Sequence, residues 1–482
     1  MEKMVPDRTL LMKGADLSSA LDAQLISFYE AAQGDPGCSS VSIDSRTVLP
    51  GALFVALTGT VQDGHRYVEA AFKAGAVMAM VARSRLEEPS WGLVDVAMTY
   101  HGVLLVVKDT LRGLQDAARI YLEKFPRLLR IGITGSSGKT TTKELAAAII
   151  GTEKAVVANP GNLNSETGLP LSVFMVRADH EVGIFELGMN RKGEIGELAR
   201  ILKPHIALIT NIGSAHIGIL GSKQAIAAEK KAIFSEFSGT ETALIPTDER
   251  EYRAFLAQGV RGKVLFYGPT IPGASLAGPE ILWEGVPVRF GLPGKHNLWN
   301  ALAAIAIAQE VPVSSAAIRG GLESVSGLFG RSEILHGPVT VVRDCYNANP
   351  ESTMAAIAMC DDFDWAGRRI YVLGSMLELG EVSQAAHEQI GRYVLSSKAD
   401  MVCFFGPETQ ASLGVVESGG VLHISCFHTN SMDALSAFLA RFVRPGDLVL
   451  LKGSRACALE RLTEVLMEHR ILAETAGQGG WL

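Results

Sequence analysis

The chain has 482 residues, 48% of them hydrophobic and 20% charged, with a formal net charge of −7. That length exceeds a single core and fits about three ordinary domains, while an acidic balance without a long basic run argues against nucleic acid and anionic membrane as partners. Six scattered cysteines with no CxxC pair argue for reduced thiols and against a zinc site.

Met1 to Ala15 carries charges around a very short Leu-Leu-Met run and does not read as a signal peptide; no later stretch of about 18 apolar residues reads as a membrane span. A cytoplasmic location is the expectation. The first hundred residues predict short strands at Leu53 to Leu57, Val77 to Val81 and Val103 to Val107, with an Ala-rich helix near Tyr67 to Ala74. An amphipathic helix over Asp109 to Phe125 follows, which places a boundary near Val107. Apolar strands then alternate with helices: Ala155 to Val157, Val182 to Glu186, His205 to Thr210 and Thr242 to Ile245, the pattern of a parallel α/β sheet. Gly294 to Val311 reads as a long Ala-rich helix. Four further strands, Pro338 to Arg343, Arg369 to Leu373, Met401 to Phe405 and Asp447 to Leu451, predict a second α/β domain starting near residue 325.

One segment between strand and helix carries chemistry. Gly132 to Thr142 reads Gly-Ile-Thr-Gly-Ser-Ser-Gly-Lys-Thr-Thr-Thr, entered by an apolar run and left by an Ala/Ile-rich helix. Backbone N–H groups and a positive helix end then converge on one point, an arrangement that holds polyphosphate. Gly135, Ser136, Ser137, Gly138, Lys139, Thr140 and Thr141 are the candidate cradle; Lys139 reaches the β/γ-phosphates and the Thr140 hydroxyl faces Mg²⁺. The strict Walker pattern wants glycine at 133, where this chain has Ile133. Alone, the loop points to a protein that binds and spends a nucleoside triphosphate, with a P-loop regulator or motor as the alternative to a bond-making enzyme.

Polar residues recur just past the other strands, where parallel sheets bind ligands. Glu186 closes one apolar run and is placed as a second Mg²⁺ ligand, although a strand-end acid also caps helices. His216 follows another strand, and Lys230 lies on a helical run. By themselves a lone histidine is more often structural and a helix lysine more often solvated. Gly294 to Asn297 with Asn300, Asp344 to Pro350, and Lys452 to Arg455 are polar islands that also suit capping and turns.

Together these segments resemble the Mur ligases, the ATP-dependent amide-forming enzymes of peptidoglycan precursor synthesis, over nearly the whole chain. The resemblance rests on ITGSSGKTTTKE (133–144), FELGMNRKGEI (185–195), TNIGSAHIGILGS (210–222), GKHNLWNALAA (294–304) and GRSEI (330–334). SIDSRTVLPGALFVALTG with DGHRY (42–67) resembles the members that add the third residue or the final dipeptide. DCYNANPESTMAAI (344–357), LGSMLELGEVSQAAH (373–387) and LLKGSR (450–455) resemble the dipeptide-adding branch alone. Ser375 and Ser165 depart from that branch's usual Asp and Asn.

The resemblance implies an α/β protein of three domains. These are an N-terminal UDP-substrate domain (1–107), a central P-loop parallel-sheet ATPase domain (108–325) and a C-terminal Rossmann-like α/β domain (326–482). It implies ATP and two Mg²⁺ ions, with UDP-N-acetylmuramoyl-tripeptide and D-alanyl-D-alanine as substrates, and a monomer is expected. Metal ligands would be Thr140, Glu186, His216 and Lys230, the last as a carbamylated lysine; Lys231 is the competing choice, and Lys230 has the family spacing to Phe234. Lys139, Lys230, His216 and Arg331 would be catalytic, and His296, Asn297, Asn300, Arg331 and Asp344 would hold nucleotide. Ser42, Asp44, Ser45, Arg46, Asp63, His65, Asn162 and Asn164 would touch the UDP-substrate. Tyr346, Asn347, Asn349, Lys452, Ser454 and Arg455 would serve the dipeptide and acyl phosphate. Carbamylation needs a neutral amine, and at an ordinary pKa only about one lysine in 2,500 is neutral at pH 7. Lys230 is therefore expected to be buried.

Overall fold

The structure is a computed structural model and describes residues 10–29, 36–59, 62–420 and 424–468. Residues 1–9, on which part of the signal-peptide reading rests, lie outside the described residues.

Apolar runs build three sheets in chain order. The first uses β1 (Gln24–Ser27), β2 (Ser40–Ser42), β3 (Ala52–Val55), β4 (Met78–Ala82) and β5 (Val103–Val107). Its order is β1-β5-β4-β3-β2, parallel except for β1. Every residue of β4 and β5 is buried, as expected of parallel strands covered on both faces. Helix α1 (Thr110–Glu123) follows, capped by Asp109 accepting from Arg112 N at 2.9 Å, and leads into the second sheet.

That sheet contains β6 (Leu129–Thr134), followed by α2 (Lys139–Ile150), β7 (Val156–Ala158), β8 (Val182–Glu186) and β9 (Ile206–Ile209). Helix α3 (Lys223–Lys231), β10 (Thr242–Pro246) and β11 (Lys263–Tyr267) complete it. The order is β11-β10-β9-β6-β8-β7, all parallel. Strand β6 is central, so the loops after β6, β8 and β9 meet at one carboxyl edge, beside the point where strand order reverses. Helix α4 (Lys295–Gln309) packs on α2 and is buried along nearly its whole length, which its Ala/Ile content permits. Between β11 and α4 lies a small antiparallel sheet, residues 270–287, absent from the sequence reading.

The third sheet comprises β12 (Glu333–His336), β13 (Thr340–Asp344), α5 (Pro350–Asp362), β14 (Arg369–Gly374), β15 (Met401–Phe405), β16 (Ser425–Thr429) and β17 (Leu448–Lys452) with their connecting helices. Its order is β12-β13-β17-β14-β15-β16, parallel except for β12.

Four histidines are fixed as neutral acceptors of backbone N–H groups. Ala82 N donates to His65 Nε2, Arg130 N to His205 Nδ1, Arg177 N to His180 Nδ1 and Met376 N to His387 Nε2, all at 2.9–3.0 Å. A protonated ring could not accept these bonds. Burial is the first cause holding all four, and His296, below the ordinary 6.5. Their folded values lie below the unfolded one, so the stability they contribute is present above 6.5 and lost as pH falls through the lower folded values. Thermal unfolding followed by calorimetry should show a lower Tm at pH 5.5 than at pH 7.5. An unchanged or higher Tm would contradict these proton positions.

Candidate active site

The β6–α2 loop is shaped by two glycines that tolerate no side chain. Gly135 has φ +153°, and a Cβ there would lie 1.7 Å from Thr210 Oγ1. Gly138 has φ +77°, and its Cβ would lie 2.2 Å from Asn300 Oδ1. Ile133 is a fully buried strand residue, so the departure from the Walker spacing falls in β6 and leaves the cradle itself unaltered. The loop is braced by the turn after β9: Ser137 N donates to Asn211 Oδ1 at 3.0 Å and Thr210 Oγ1 to Ser137 O at 2.6 Å. Gly213 N donates to Ser136 Oγ at 2.8 Å. Gly138→Ala forces a left-handed alanine, costing about 1–2 kcal/mol before Asn300 is displaced. The KM for ATP should therefore rise by about tenfold or more, read from ATP titrations of turnover; an unchanged KM would remove Gly138 from the cradle.

Thr140 Oγ1 donates to Glu186 Oε2 at 2.6 Å, and Asn164 Nδ2 donates to Glu186 Oε1 at 2.7 Å. Glu186 is 2% exposed, and its backbone is held on both sides by Asn159, which accepts from Glu186 N and donates to Glu186 O. Lys143, expected only as part of the loop's helix, is buried and donates to Asn159 O. The half-buried Lys139 donates to Gly135 O at 2.8 Å; burial pushes its amine down, opposed by Glu186 and reinforced by Arg331. Lys230 is 1% exposed, and burial with the nearby Lys139 pushes its amine well below the ordinary range. Among the described residues its ammonium has no hydrogen-bond or ion-pair partner. Lys231 instead donates to Phe255 O and Gln258 O, away from Glu186. His216 Nδ1 lies 2.7 Å from Glu378 Oε2, a contact between the central and C-terminal sheets' loops.

The third sheet presents its own strand ends across a cavity of about 880 Å³. Arg331 lies over the Tyr346 ring at 4.3 Å. Asp344 pairs with Lys452 at 3.0 Å, and Lys452 also donates to Asn347 O at 2.8 Å. His296 Nε2 is 3.0 Å from Ser332 Oγ, and Asn300 donates to Asn297 Oδ1 at 3.1 Å. Asn349 caps α5 in a reciprocal box with Ser352. Ser454 Oγ accepts from Leu377 N at 2.9 Å, and Arg455 pairs with Glu460.

Three family models match in chain order: Mur ligase family, catalytic domain, over 38–99; Mur ligase middle domain over 133–308; and Mur ligase, glutamate ligase domain, over 330–455. The chain is 46% identical to the UDP-N-acetylmuramoyl-tripeptide–D-alanyl-D-alanine ligase of Treponema pallidum over 447 residues, covering 91% of this chain and 96% of that one. The chain belongs to the Mur ligase family. Among solved structures, this Mur ligase superposes on MurF from Acinetobacter baumannii with a TM-score of 0.80 at 28% identity, covering 95% and 98% of the two chains. It also superposes on MurF ligase from Thermotoga maritima in complex with ADP, with a TM-score of 0.74 at 27% identity, covering 89% and 97%.

In this Mur ligase one cavity gathers Ser136 to Thr141, Glu186, His216, Asn162, Asn164, His296, Asn297, Asn300 and Arg331. The C-terminal candidates Asp344, Tyr346, Asn347, Asn349, Lys452, Ser454 and Arg455 line it as well. Lys230 is not among the lining residues. Ser42, Asp44, Ser45, Arg46, Asp63 and His65 do not line it. Arg46 and Asp44 pair with each other at 2.6 Å, with the Arg46 side chain 87% exposed. His65 is buried with both ring nitrogens taken, Nδ1 by Asp63 at 2.6 Å and Nε2 by Ala82, so it offers a ligand only the placement of Asp63. The Ser375 hydroxyl is buried without a hydrogen-bond partner among the described residues and outside the cavity lining; Ser165 Oγ accepts from Gly168 N. Sequence reasoning missed Asn211, Glu351 and Glu378. Asn211 stood inside the quoted 210–222 segment beside the strand end, a signal available but unused. The two glutamates likewise stood inside the 344–357 and 373–387 segments, but their contacts with Ser214 and His216 become visible only when the third sheet's loops face the central ones. Among the described residues no three His, Cys, Asp or Glu side chains form a metal cluster.

Proposed function

We propose that this chain joins D-alanyl-D-alanine to the tripeptide carboxylate of UDP-N-acetylmuramoyl-tripeptide, spending ATP and passing through an acyl phosphate. The product is the pentapeptide precursor of peptidoglycan. The observation that carries the proposal is the near full-length identity to a relative named for that reaction, on a chain whose phosphate loop faces the dipeptide-branch motifs across one cavity.

A carboxylate attacking a γ-phosphate brings two anions together, so the site must supply positive charge and alignment. Lys139 and the α2 N-terminus hold the β/γ-phosphates, and Arg331 brings a second cation from the third sheet. Asn297, Asn300, His296 and Asp344 lie around the adenosine. The tripeptide carboxylate attacks the γ-phosphorus, ADP leaves, and the dipeptide amine then attacks the acyl carbon and expels phosphate. Asn162 and Asn164 meet the first substrate; Tyr346, Asn347, Asn349, Lys452, Ser454 and Arg455 serve the second.

The donor set suits Mg²⁺, which takes few protein oxygens and keeps waters and phosphates. Thr140 and Glu186, already 2.6 Å apart, would hold one ion, and His216 with a carbamylated Lys230 would hold the other. Bound there, Mg²⁺ neutralises phosphate charge and polarises the attacked phosphorus. A buried, partnerless Lys230 amine with a depressed pKa fits carbamate formation, and Lys231 does not. We further propose domains at 1–107, 108–325 and 326–482, the UDP-sugar resting on Ser42, Asp44, Ser45, Arg46 and Asp63 of the first. A cytoplasmic monomer completes the proposal; among the described residues no helix is long and apolar enough to cross a membrane.

The test is acceptor and donor choice. With ATP and Mg²⁺, UDP-tripeptide should couple to D-alanyl-D-alanine. Coupling of UDP-dipeptide to a single amino acid would instead indicate a third-residue ligase, and coupling of glutamate to a folate would indicate a folylpolyglutamate synthase-like enzyme.

A further inference from the structure

Glu351 stands in the first turn of α5, two residues after its cap Asn349 and four after Asn347, whose carbonyl holds Lys452. Its carboxylate leaves its own sheet and reaches the turn after β9. Ser214 Oγ donates to Glu351 Oε2 at 2.6 Å, Ser214 N lies 3.2 Å from both oxygens, and Lys223 Nζ donates to Oε1 at 2.9 Å. Burial pushes this carboxyl up, but the donors from Ser214 and Lys223 outweigh it and hold it below the usual range.

The turn has little freedom between its two neighbours. A Cβ on Gly213 would lie 3.2 Å from Ser136 Cβ on one side and 3.3 Å from the Glu351 carboxylate on the other. Gly213 and Ser136 exchange two hydrogen bonds, at 2.8 and 3.2 Å. A continuous path therefore runs from the amine-side loop through Glu351 and the 213–214 turn to the phosphate loop. Ser214 is 7% exposed, so its N–H and O–H depend on this carboxylate when the two sheets' loops are together.

We infer that Glu351 is a positioning residue that docks the C-terminal α/β unit on the 213–214 turn and thereby couples amine-side closure to phosphate-loop geometry. Glu351 also lines the cavity, and the role inferred for it runs through Ser214 and Ser136 rather than through the reacting phosphorus or acyl carbon. Its kinetic consequences rest on the ligase reaction proposed above, and its effect on closure does not.

The experiment uses the full chain with Glu351→Ala, Glu351→Gln, Ser214→Ala and Lys223→Ala. Glu351→Ala should raise the KM for both ATP and D-alanyl-D-alanine by about tenfold, equivalent to about 1.4 kcal/mol, while the KM for UDP-tripeptide moves by less than about twofold. Glu351→Gln keeps an acceptor for Ser214 and should recover most of that loss. Ser214→Ala should match Glu351→Ala without adding to it in the double variant, and the exposed Lys223→Ala should change little. Small-angle scattering with ADP should show a larger radius of gyration for Glu351→Ala than for the parent chain. Unchanged KM values with unchanged scattering would overturn the inference. So would equal losses in Glu351→Ala and Glu351→Gln accompanied by a lowered Tm, which assigns a merely structural role. A parent chain that makes no pentapeptide would defeat the proposed function, and the scattering comparison would still decide the closure.

Discussion

Lys230→Ala is expected to lower kcat/KM by about 10²–10³ while leaving a folded protein. The side chain is 1% exposed and makes no hydrogen bond or ion pair among the described residues, the Glu229 and Glu186 charges acting on it from a distance. Burial and the neighbouring Lys139 charge depress its pKa, which raises the neutral fraction that can attack CO₂ and release a proton. The proposed carbamate would put an anion where the unmodified side chain offers only an amine, and that change of charge is what the proposal asks of the position. Lys230→Arg therefore discriminates: it keeps a positive charge, cannot form the carbamate, and should be as inactive as Lys230→Ala. Lys231→Ala should stay within about twofold of the parent chain, because Lys231 is engaged by the Phe255 and Gln258 carbonyls and the Phe255 ring rather than by the residues around Glu186. Steady-state kinetics on the three variants, with ¹³C NMR of the parent chain under ¹³CO₂, measures both points. Activity retained in Lys230→Arg would contradict the carbamate.

Glu186→Gln should lower kcat/KM by about 10²–10³ and raise the Mg²⁺ concentration needed for half-maximal rate. Glutamine is isosteric and keeps one oxygen, which accepts from Asn164 as Oε1 does at 2.7 Å, while its amide NH2 replaces Oε2 beside the Thr140 hydroxyl, which turns to accept in place of the 2.6 Å bond it now donates. What it removes is the charge and one acceptor. Asn159, which clamps the Glu186 backbone from both sides, should keep the strand end in place, so the loss reports metal and phosphate electrostatics rather than folding. The check is a Mg²⁺ titration of initial rates at saturating ATP. An unaltered half-maximal Mg²⁺ concentration would remove Glu186 from the metal site.

Much of the central sheet was legible because its strands are continuous apolar runs. Val182–Glu186 falls where the sequence placed it, as do Met401–Phe405 in the third sheet and Val103–Val107 in the first. Strands that escaped notice lack that signal. β16 reads Ser-Cys-Phe-His-Thr and β12 reads Glu-Ile-Leu-His, edge strands with polar residues in a short run. The small sheet over 270–287 is built from two- and four-residue strands joined by glycine turns, below the length at which alternation is readable. Within the site, Lys139, Thr140 and Glu186 were legible because each stands at a strand end or helix start. His65 was misjudged in its surroundings: sequence cannot show that Ala82 N and Asp63 occupy both ring nitrogens. Glu351 and Glu378 stood inside the 344–357 and 373–387 segments, but their roles were not legible, since their partners Ser214 and His216 lie more than a hundred residues away and belong to another sheet's loops.

The central claim is that the tripeptide carboxylate itself is phosphorylated before the amide forms. Label both oxygens of that carboxylate with ¹⁸O, supply ATP, Mg²⁺ and D-alanyl-D-alanine, and weigh the released phosphate by mass spectrometry. An acyl phosphate carries one labelled oxygen as its bridge, and attack by the amine expels it with the phosphorus, so each phosphate should hold one ¹⁸O for each pentapeptide made. Unlabelled phosphate released alongside pentapeptide, or phosphate released without it, would contradict the reaction assigned to this site.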